Sequence, residues 1–213
     1  GQGWRRYVFG AGAGALPSRG ATLVNLAEFW AFADQDDAYR TVKAEGGRSF
    51  VQFVYDIIPE THPHLCYDDH NARFRRSLAT IAGIADGFLC DSRHVEGELT
   101  RYMARTGVHA PPTAVVPFGW DFAAPADAGD TLDRLGLAPG RYILQVGTLE
   151  PRKNHLMVVR ALHALHAKLG ARLPTAVFAG KLGWKTETLF NELTAIDYLG
   201  GRIRLLHDAT DAD

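Results

Sequence analysis

Apolar residues along the chain alternate between short strand-like runs and longer stretches with helical spacing. The run at 49–56, SFVQFVYD, is rich in β-branched and aromatic residues, as a buried strand is, whereas Phe74, Leu78 and Ile81 recur at helical spacing. By the same criteria strands are predicted at 49–56, 87–90, 113–119, 141–147, 175–180 and 202–206, and helices around 74–85, 95–103, 130–136, 155–169 and 186–199.

Residues with capping and helix-ending preferences mark several of these boundaries. Asp91 or Ser92 is expected to cap the helix around 95–103, and Gly107 to end it. Asn154 is expected to cap the helix of 155–169 in the same way.

The alternation of strands and helices predicts an α/β fold in which right-handed crossovers join parallel strands. Residues 121–140 interrupt it with a segment rich in Ala, Asp, Gly and Pro, which is typical of a linker. The interpretation is a first domain at 1–120 and a second at 141–213. Three strands and two helices would leave the second sheet poorly covered, so we expect both domains to be incomplete parts of a longer enzyme.

Composition excludes several classes of protein. The apolar fraction is 46%, enough for a core, and 23 basic residues balance 24 acidic ones without a long basic block, which argues against a nucleic-acid-binding surface. The two cysteines, Cys66 and Cys90, form no CxxC pair, so neither a disulfide framework nor a zinc ribbon is expected. We expect the protein to occupy a reducing compartment. No apolar run reaches the roughly 18 residues of a membrane span.

A glycine-rich segment near the start, GAGAGALPSRG at 10–20, invites comparison with a phosphate-binding loop. It does not clearly follow a strand or open a helix, and it lacks the Lys-Ser/Thr of a P-loop. We therefore interpret it as an ordinary loop.

The segment GTLEPRKNH at 147–155 carries the strongest chemical signal. Gly147 and Thr148 follow a predicted strand, where ligands of open parallel sheets bind, and Arg152 and Lys153 stand at the start of a predicted helix. Cations are disfavoured at the positive end of a helix, so an anionic ligand such as a diphosphate would compensate them. The alternative from the residues alone is a solvated basic pair with Glu150 as its partner.

The ordered motifs resemble retaining glycosyltransferases of the family 4 type, which have the GT-B fold of two Rossmann-like domains. VGTLEPRKNHLMVVRAL is similar to their donor-site segment. Other segments agree in the same order along about residues 20–210: FVYDIIPETHP, ADGFLCDSRHVEGEL, VVPFGWD and VFAGKLGWKTETL. Bacterial mannosyltransferase-like and rhamnosyltransferase-like members are the most similar.

The resemblance implies transfer of a hexose, mannose or similar, from a nucleotide diphosphate sugar to a glycan or lipid-linked acceptor, with retention and without a metal or other cofactor. Arg152 and Lys153 would hold the phosphates of a donor such as GDP-mannose and stabilise the leaving diphosphate, with Gly147 and Thr148 beside them. Tyr55, Asp56 and His62 would lie on the acceptor side. A cytoplasmic location, with peripheral association at the inner membrane face, is expected.

Two departures from the family pattern affect this interpretation. Tyr55 stands where many relatives carry a histidine before the aspartate, which puts an acid/base role at this position in doubt. The chain also ends before a Glu-x7-Glu motif that binds the donor ribose in relatives, so we expect these 213 residues alone to be weakly active or inactive.

Two alternatives remain open from the sequence. The loop PETHPHLCYDDH gathers potential metal ligands between His62 and His70, which would suit a metal-dependent hydrolase. The second alternative is a non-catalytic nucleotide- or glycan-binding module that has kept the fold.

Overall fold

A computed structural model describes residues 22–31, 35–44, 49–119 and 129–207. The glycine-rich segment at 10–20 lies outside these ranges, as does the first part of the predicted linker. The chain forms two compact units, residues 1–120 and 121–213, and each is described by itself.

The first unit alternates strands and helices in the predicted manner. Its described elements are β1 (Thr22–Asn25), α1 (Gln35–Ala44), β2 (Ser49–Val54), α2 (Ile58–Thr61), α3 (Asp68–Ile84), β3 (Gly87–Cys90), α4 (Arg93–Thr106) and β4 (Thr113–Val115). The four strands pair in parallel in the order β1-β2-β3-β4. Because every strand is parallel to its neighbours, all four carboxyl ends lie along one edge of this sheet.

Large side chains from both strands and helices fill the core of the first unit. Phe50 and Phe88 from the sheet are buried with Phe74 and Leu78 of α3 and Leu99 of α4. The helical spacing of the apolar residues in the sequence therefore marks the faces that pack on the sheet.

The second unit repeats the arrangement on a smaller scale. Its described elements are α5 (Gly129–Arg134), β5 (Tyr142–Val146), α6 (His155–Leu169), β6 (Thr175–Ala179), α7 (Glu187–Ala195) and β7 (Ile203–Leu206). The strands are parallel in the order β5-β6-β7. Val159, Leu162, Phe178 and Leu193 lie in its core, whereas Leu144 and Val146 of the edge strand β5 are exposed. The predicted α/β class with parallel sheets is confirmed.

Several boundaries differ from prediction. The helix predicted at 186–199 ends at Ala195, because residues 197–201 all have positive φ and form a left-handed turn that closes on Gly200 and Gly201. Elements β1 and α1 were not predicted. No helix within the described ranges is long and apolar enough to cross a membrane.

Ser92 confirms one of the two predicted caps for α4. Its hydroxyl oxygen accepts a hydrogen bond from the backbone N–H of Val95 at 3.3 Å, and Gly107 ends the helix in the left-handed conformation.

We predict that Ser92→Ala lowers the free energy of unfolding by about 1 kcal/mol, because one N–H of the first turn loses its acceptor. Urea denaturation measures the change. Ser92→Thr keeps the hydroxyl and serves as the matched control, and an equal loss in both variants would contradict the capping role.

Candidate functional site

The segment between β5 and α6 lies at the carboxyl edge of the second sheet. Strand β5 ends at Val146, and Gly147 follows with a φ of 143°, a conformation that favours glycine. A turn of 3-10 helix at Pro151–Lys153 then leads into α6. The segment 147–154, here called the basic loop, therefore occupies the position where ligands bind in open parallel sheets.

Backbone hydrogen bonds fix the basic loop to the segment that follows β6. The N–H groups of Gly147 and Leu149 donate to the carbonyls of Ala179 and Lys181 at 2.8 and 2.9 Å. The N–H of Gly183 donates back to the carbonyl of Leu149 at 3.0 Å. The basic loop is therefore an extension of the sheet ladder rather than a free surface loop.

Two glycines make this close approach possible. A Cβ at Gly180 would lie 2.2 Å from the carbonyl oxygen of Gly147, and a Cβ at Gly183 would lie 2.7 Å from Cγ2 of Thr148. Real Cβ atoms do not approach other heavy atoms so closely, so a side chain at either position would push the two segments apart. In the sequence these glycines form a G-x-x-G pattern directly after a strand, within the segment VFAGKLGWKTETL.

Arg152 pairs with the carboxylate beside it in the sequence. Its guanidinium lies 2.5 Å from Oε1 of Glu150, whose side chain is 1% exposed, while the side chain of Arg152 is 33% exposed. The alternative interpretation, in which Glu150 is the partner of the basic pair, is thus confirmed for Arg152.

Lys153 has a different environment. Its aliphatic carbons pass over Gly147, 3.6 Å from where a Cβ of that residue would stand, and its backbone carbonyl accepts a hydrogen bond from the Gln145 amide at 2.7 Å. The side chain is exposed, and no carboxylate of the described residues forms an ion pair with it. The backbone carbonyl and the aliphatic stem of Lys153 are therefore both held, while its side chain pairs with no carboxylate of the described residues.

The predicted side-chain cap at Asn154 is wrong. Asn154 has a φ of 55° because it closes the turn of 3-10 helix before α6, and its side chain makes no capping hydrogen bond. An N-cap side chain needs an extended backbone to reach the first N–H groups of its helix. The N-terminus of α6 consequently lacks a side-chain cap from this residue.

His155, the first residue of α6, is buried behind the basic loop. It is 2% exposed and packs edge-on against Phe178, with the ring centroids 4.9 Å apart. Neither ring nitrogen has a hydrogen-bond partner among the described residues. Burial, and then the charge of Lys153, lowers the pKa of this histidine below its ordinary value, so the neutral ring is favoured.

A separate cavity of about 570 Å³ lies in the first unit. It is lined by residues 26–31 after β1 and by Tyr55 and Asp56 after β2. The Tyr55 hydroxyl donates to the Leu26 carbonyl at 2.7 Å, and the Tyr55 ring stacks with exposed Phe118 at a centroid distance of 5.7 Å. Residues 26–31 could not be singled out from the sequence, because there they are only part of an apolar stretch.

The structure brings Tyr55 and Asp56 together at this cavity but does not place His62 in its lining. The His62 ring instead lies 2.9 Å from the Thr61 hydroxyl on an exposed turn. Within the described ranges, no three His, Cys, Asp or Glu side chains are grouped closely enough to hold a metal ion. The loop from His62 to His70 therefore does not assemble the ligand set that the hydrolase alternative requires.

Comparison with curated sequences finds distant relatives. No protein-family model matches the chain. The serotype-specific mannosyltransferase WbdA of Escherichia coli is 25% identical over 74% of this chain, and two further WbdA sequences are 26% identical. The chain spans only about a fifth of the length of these relatives.

Solved structures match over more of the chain. Anabaena Alr3699/HepE in complex with UDP-glucose matches with a TM-score of 0.60 at 19% identity, covering 84% of this chain and 47% of that protein. The pneumococcal O-GlcNAc transferase GtfA in complex with UDP and GlcNAc matches with a TM-score of 0.54 at 16% identity, covering 81% of this chain and 31% of that protein. The structural neighbours are GT-B glycosyltransferases, which confirms the predicted fold class.

We predict that Gly183→Ala destabilises the protein by about 1–3 kcal/mol, because its Cβ would collide with Thr148 and with the Leu149 carbonyl. Thermal and urea unfolding measure the loss. Gly83→Ala in α3 is the control, since a Cβ there meets nothing within 4 Å. Equal stability of Gly183→Ala and the wild type would refute the close approach.

We predict that His155 makes the protein acid-sensitive. Because its folded pKa is lowered, its contribution is fully present above the ordinary histidine pKa of about 6.5 and declines as the pH falls, since the unfolded chain takes up the proton first. The free energy of unfolding should differ less between pH 7.5 and pH 5.5 in His155→Leu than it does in the wild type. His166→Gln, an exposed position on the same helix, should keep the wild-type pH dependence.

Proposed function

We propose that the protein is a glycosyltransferase that binds a nucleotide diphosphate sugar at the basic loop. The observation that carries the proposal is the exposed Lys153, whose aliphatic carbons pass over Gly147 at the carboxyl edge of a parallel sheet and beside the N-terminus of α6. The similarity to WbdA and the fold shared with structures that hold UDP or UDP-glucose support it.

The proposed reaction breaks the bond between C1 of the donor sugar and the diphosphate oxygen. An acceptor hydroxyl oxygen forms the new bond to C1 on the same face, with retention, and its proton leaves with the diphosphate. Lys153 and the N–H groups of α6 stabilise the charge that develops on the leaving group, as preorganised donors do in many active sites. These positive groups supply the neutralisation that a divalent cation would otherwise provide, so we propose a metal-independent enzyme.

The donor that we favour is a GDP-hexose, with mannose as the sugar. Its support is the similarity to mannosyltransferases. The HepE and GtfA structures hold UDP-glucose or UDP instead, so UDP-glucose is the direct competitor in any binding measurement. Thr148 is exposed next to Gly147, in a position to contact the donor.

The acceptor in this proposal is a glycan or lipid-linked glycan that binds at the cavity of the first unit. The stacked Tyr55 and Phe118 rings present an aromatic surface of the kind that packs on sugar faces. The carboxylates of Glu28 and Asp56 at the cavity accept hydrogen bonds from hydroxyl groups.

We predict that Lys153→Ala weakens binding of GDP-mannose or UDP-glucose about 10- to 100-fold, because a charge-assisted hydrogen bond contributes about 1.5–3 kcal/mol. Isothermal titration calorimetry on the full-length protein, followed by a sugar-transfer assay, measures both steps. Lys168→Ala removes an equal charge from the far end of α6 and is the control. Binding without transfer would favour the binding-module alternative, and wild-type affinity of Lys153→Ala would refute the proposed donor site.

A further inference from the structure

The two cations of the basic loop are not equivalent. Glu150 is almost completely buried, and an unpaired carboxylate in such a position costs several kcal/mol. Among the described residues, Arg152 is the group that pairs with it. The positive charge of Arg152 is therefore already neutralised before any ligand arrives.

The position of Glu150 leaves it little freedom to release Arg152. Its neighbour Leu149 lies in the bridge to Leu182, and the backbone N–H of Lys153 donates to the Glu150 carbonyl at 3.1 Å. A Cβ at Gly183 would lie 3.2 Å from Cβ of Glu150, so the segment after β6 packs directly on this residue. The backbone and Cβ of Glu150 are thus held by the same contacts that fix the basic loop, which keeps the buried carboxylate next to Arg152.

The geometry points to a division of labour within the pair, an inference that rests on the proposed function. Arg152 is a positioning residue that neutralises the buried Glu150 carboxylate, and Lys153 is the side chain that contacts the donor's diphosphate. Without Arg152, the carboxylate of Glu150 would present a negative charge to the diphosphate across the basic loop, and repulsion would weaken binding.

A single substitution of Arg152 does not separate the two roles, because loss of a direct contact and exposure of Glu150 both weaken binding. Removing both charges does separate them. In the double variant Glu150→Gln/Arg152→Gln, a neutral amide replaces each charged group, so the net charge of the loop does not change. Gln has the shape of Glu and retains part of the aliphatic stem of Arg. Replacing a buried ion pair as a unit is often tolerated, whereas breaking it is not.

The experiment measures binding of GDP and of UDP to the full-length protein by calorimetry. Arg152→Gln should lose about tenfold in affinity, and the double variant should return to within about threefold of the wild type. Arg152→Lys, which keeps the counter-charge, should bind like the double variant. Lys153→Gln should lose about 10- to 100-fold, and adding Glu150→Gln/Arg152→Gln to it should give no recovery.

Each other outcome counts against the inference. A double variant as weak as Arg152→Gln would show that the guanidinium itself contacts the phosphates. If Arg152→Gln does not fold, as circular dichroism would show, the double variant alone decides, since the inference requires that it fold and bind. Failure of the wild type to bind either nucleotide would instead overturn the proposed function, and the inference with it.

Discussion

The candidate site depends on one close contact between two backbone segments. The segment after β5 lies against the segment after β6, joined by hydrogen bonds in both directions and with no space for a side chain at Gly180 or Gly183. This contact holds the start of the basic loop against the sheet, directly before the turn of 3-10 helix that leads into α6. The basic loop is rigid because the sheet continues into it.

Charge in the loop is arranged in two layers. The inner layer is the ion pair of Glu150 and Arg152, in which the carboxylate is buried and the guanidinium is partly exposed. The outer layer is the exposed Lys153 beside a helix end that lacks a side-chain cap from Asn154. A positive group near the positive end of a helix is unfavourable without an anion nearby, and such an arrangement is common where proteins bind phosphates. The His155 ring is buried next to these charged residues, and its lowered pKa favours the neutral form.

Much of the fold could be predicted from the sequence. The pattern of apolar residues located β3 and α6 at their observed ends, although the expected side-chain cap of α6 at Asn154 does not form. The helix after β6 was predicted too long, since its end is a left-handed turn at 197–201 in which ordinary residues such as Leu199 also have positive φ. A periodic pattern gives no indication of such a turn.

The sequence located the candidate loop between a strand and a helix, whereas the arrangement of its side chains depends on the fold. The position of Arg152 and Lys153 between a strand and a helix was sufficient to single them out. Their separation into a paired and an unpaired cation depends on the burial of Glu150, which is set by the packing of Gly183 from a segment more than thirty positions away in the chain. The cavity of the first unit likewise could not be predicted from the sequence, because residues 26–31 and Tyr55 come together only through the pairing of β1 with β2.

The contact between the two segments also affects how this site can change during evolution. Its hydrogen bonds join main-chain atoms, which are the same whichever side chains are present. The outward-facing residues at Lys181 and Leu182 are exposed, so they can be exchanged without disturbing the frame that holds the loop. A scaffold of this kind can acquire a new substrate preference through its side chains while selection acts on only a few glycines to preserve its shape.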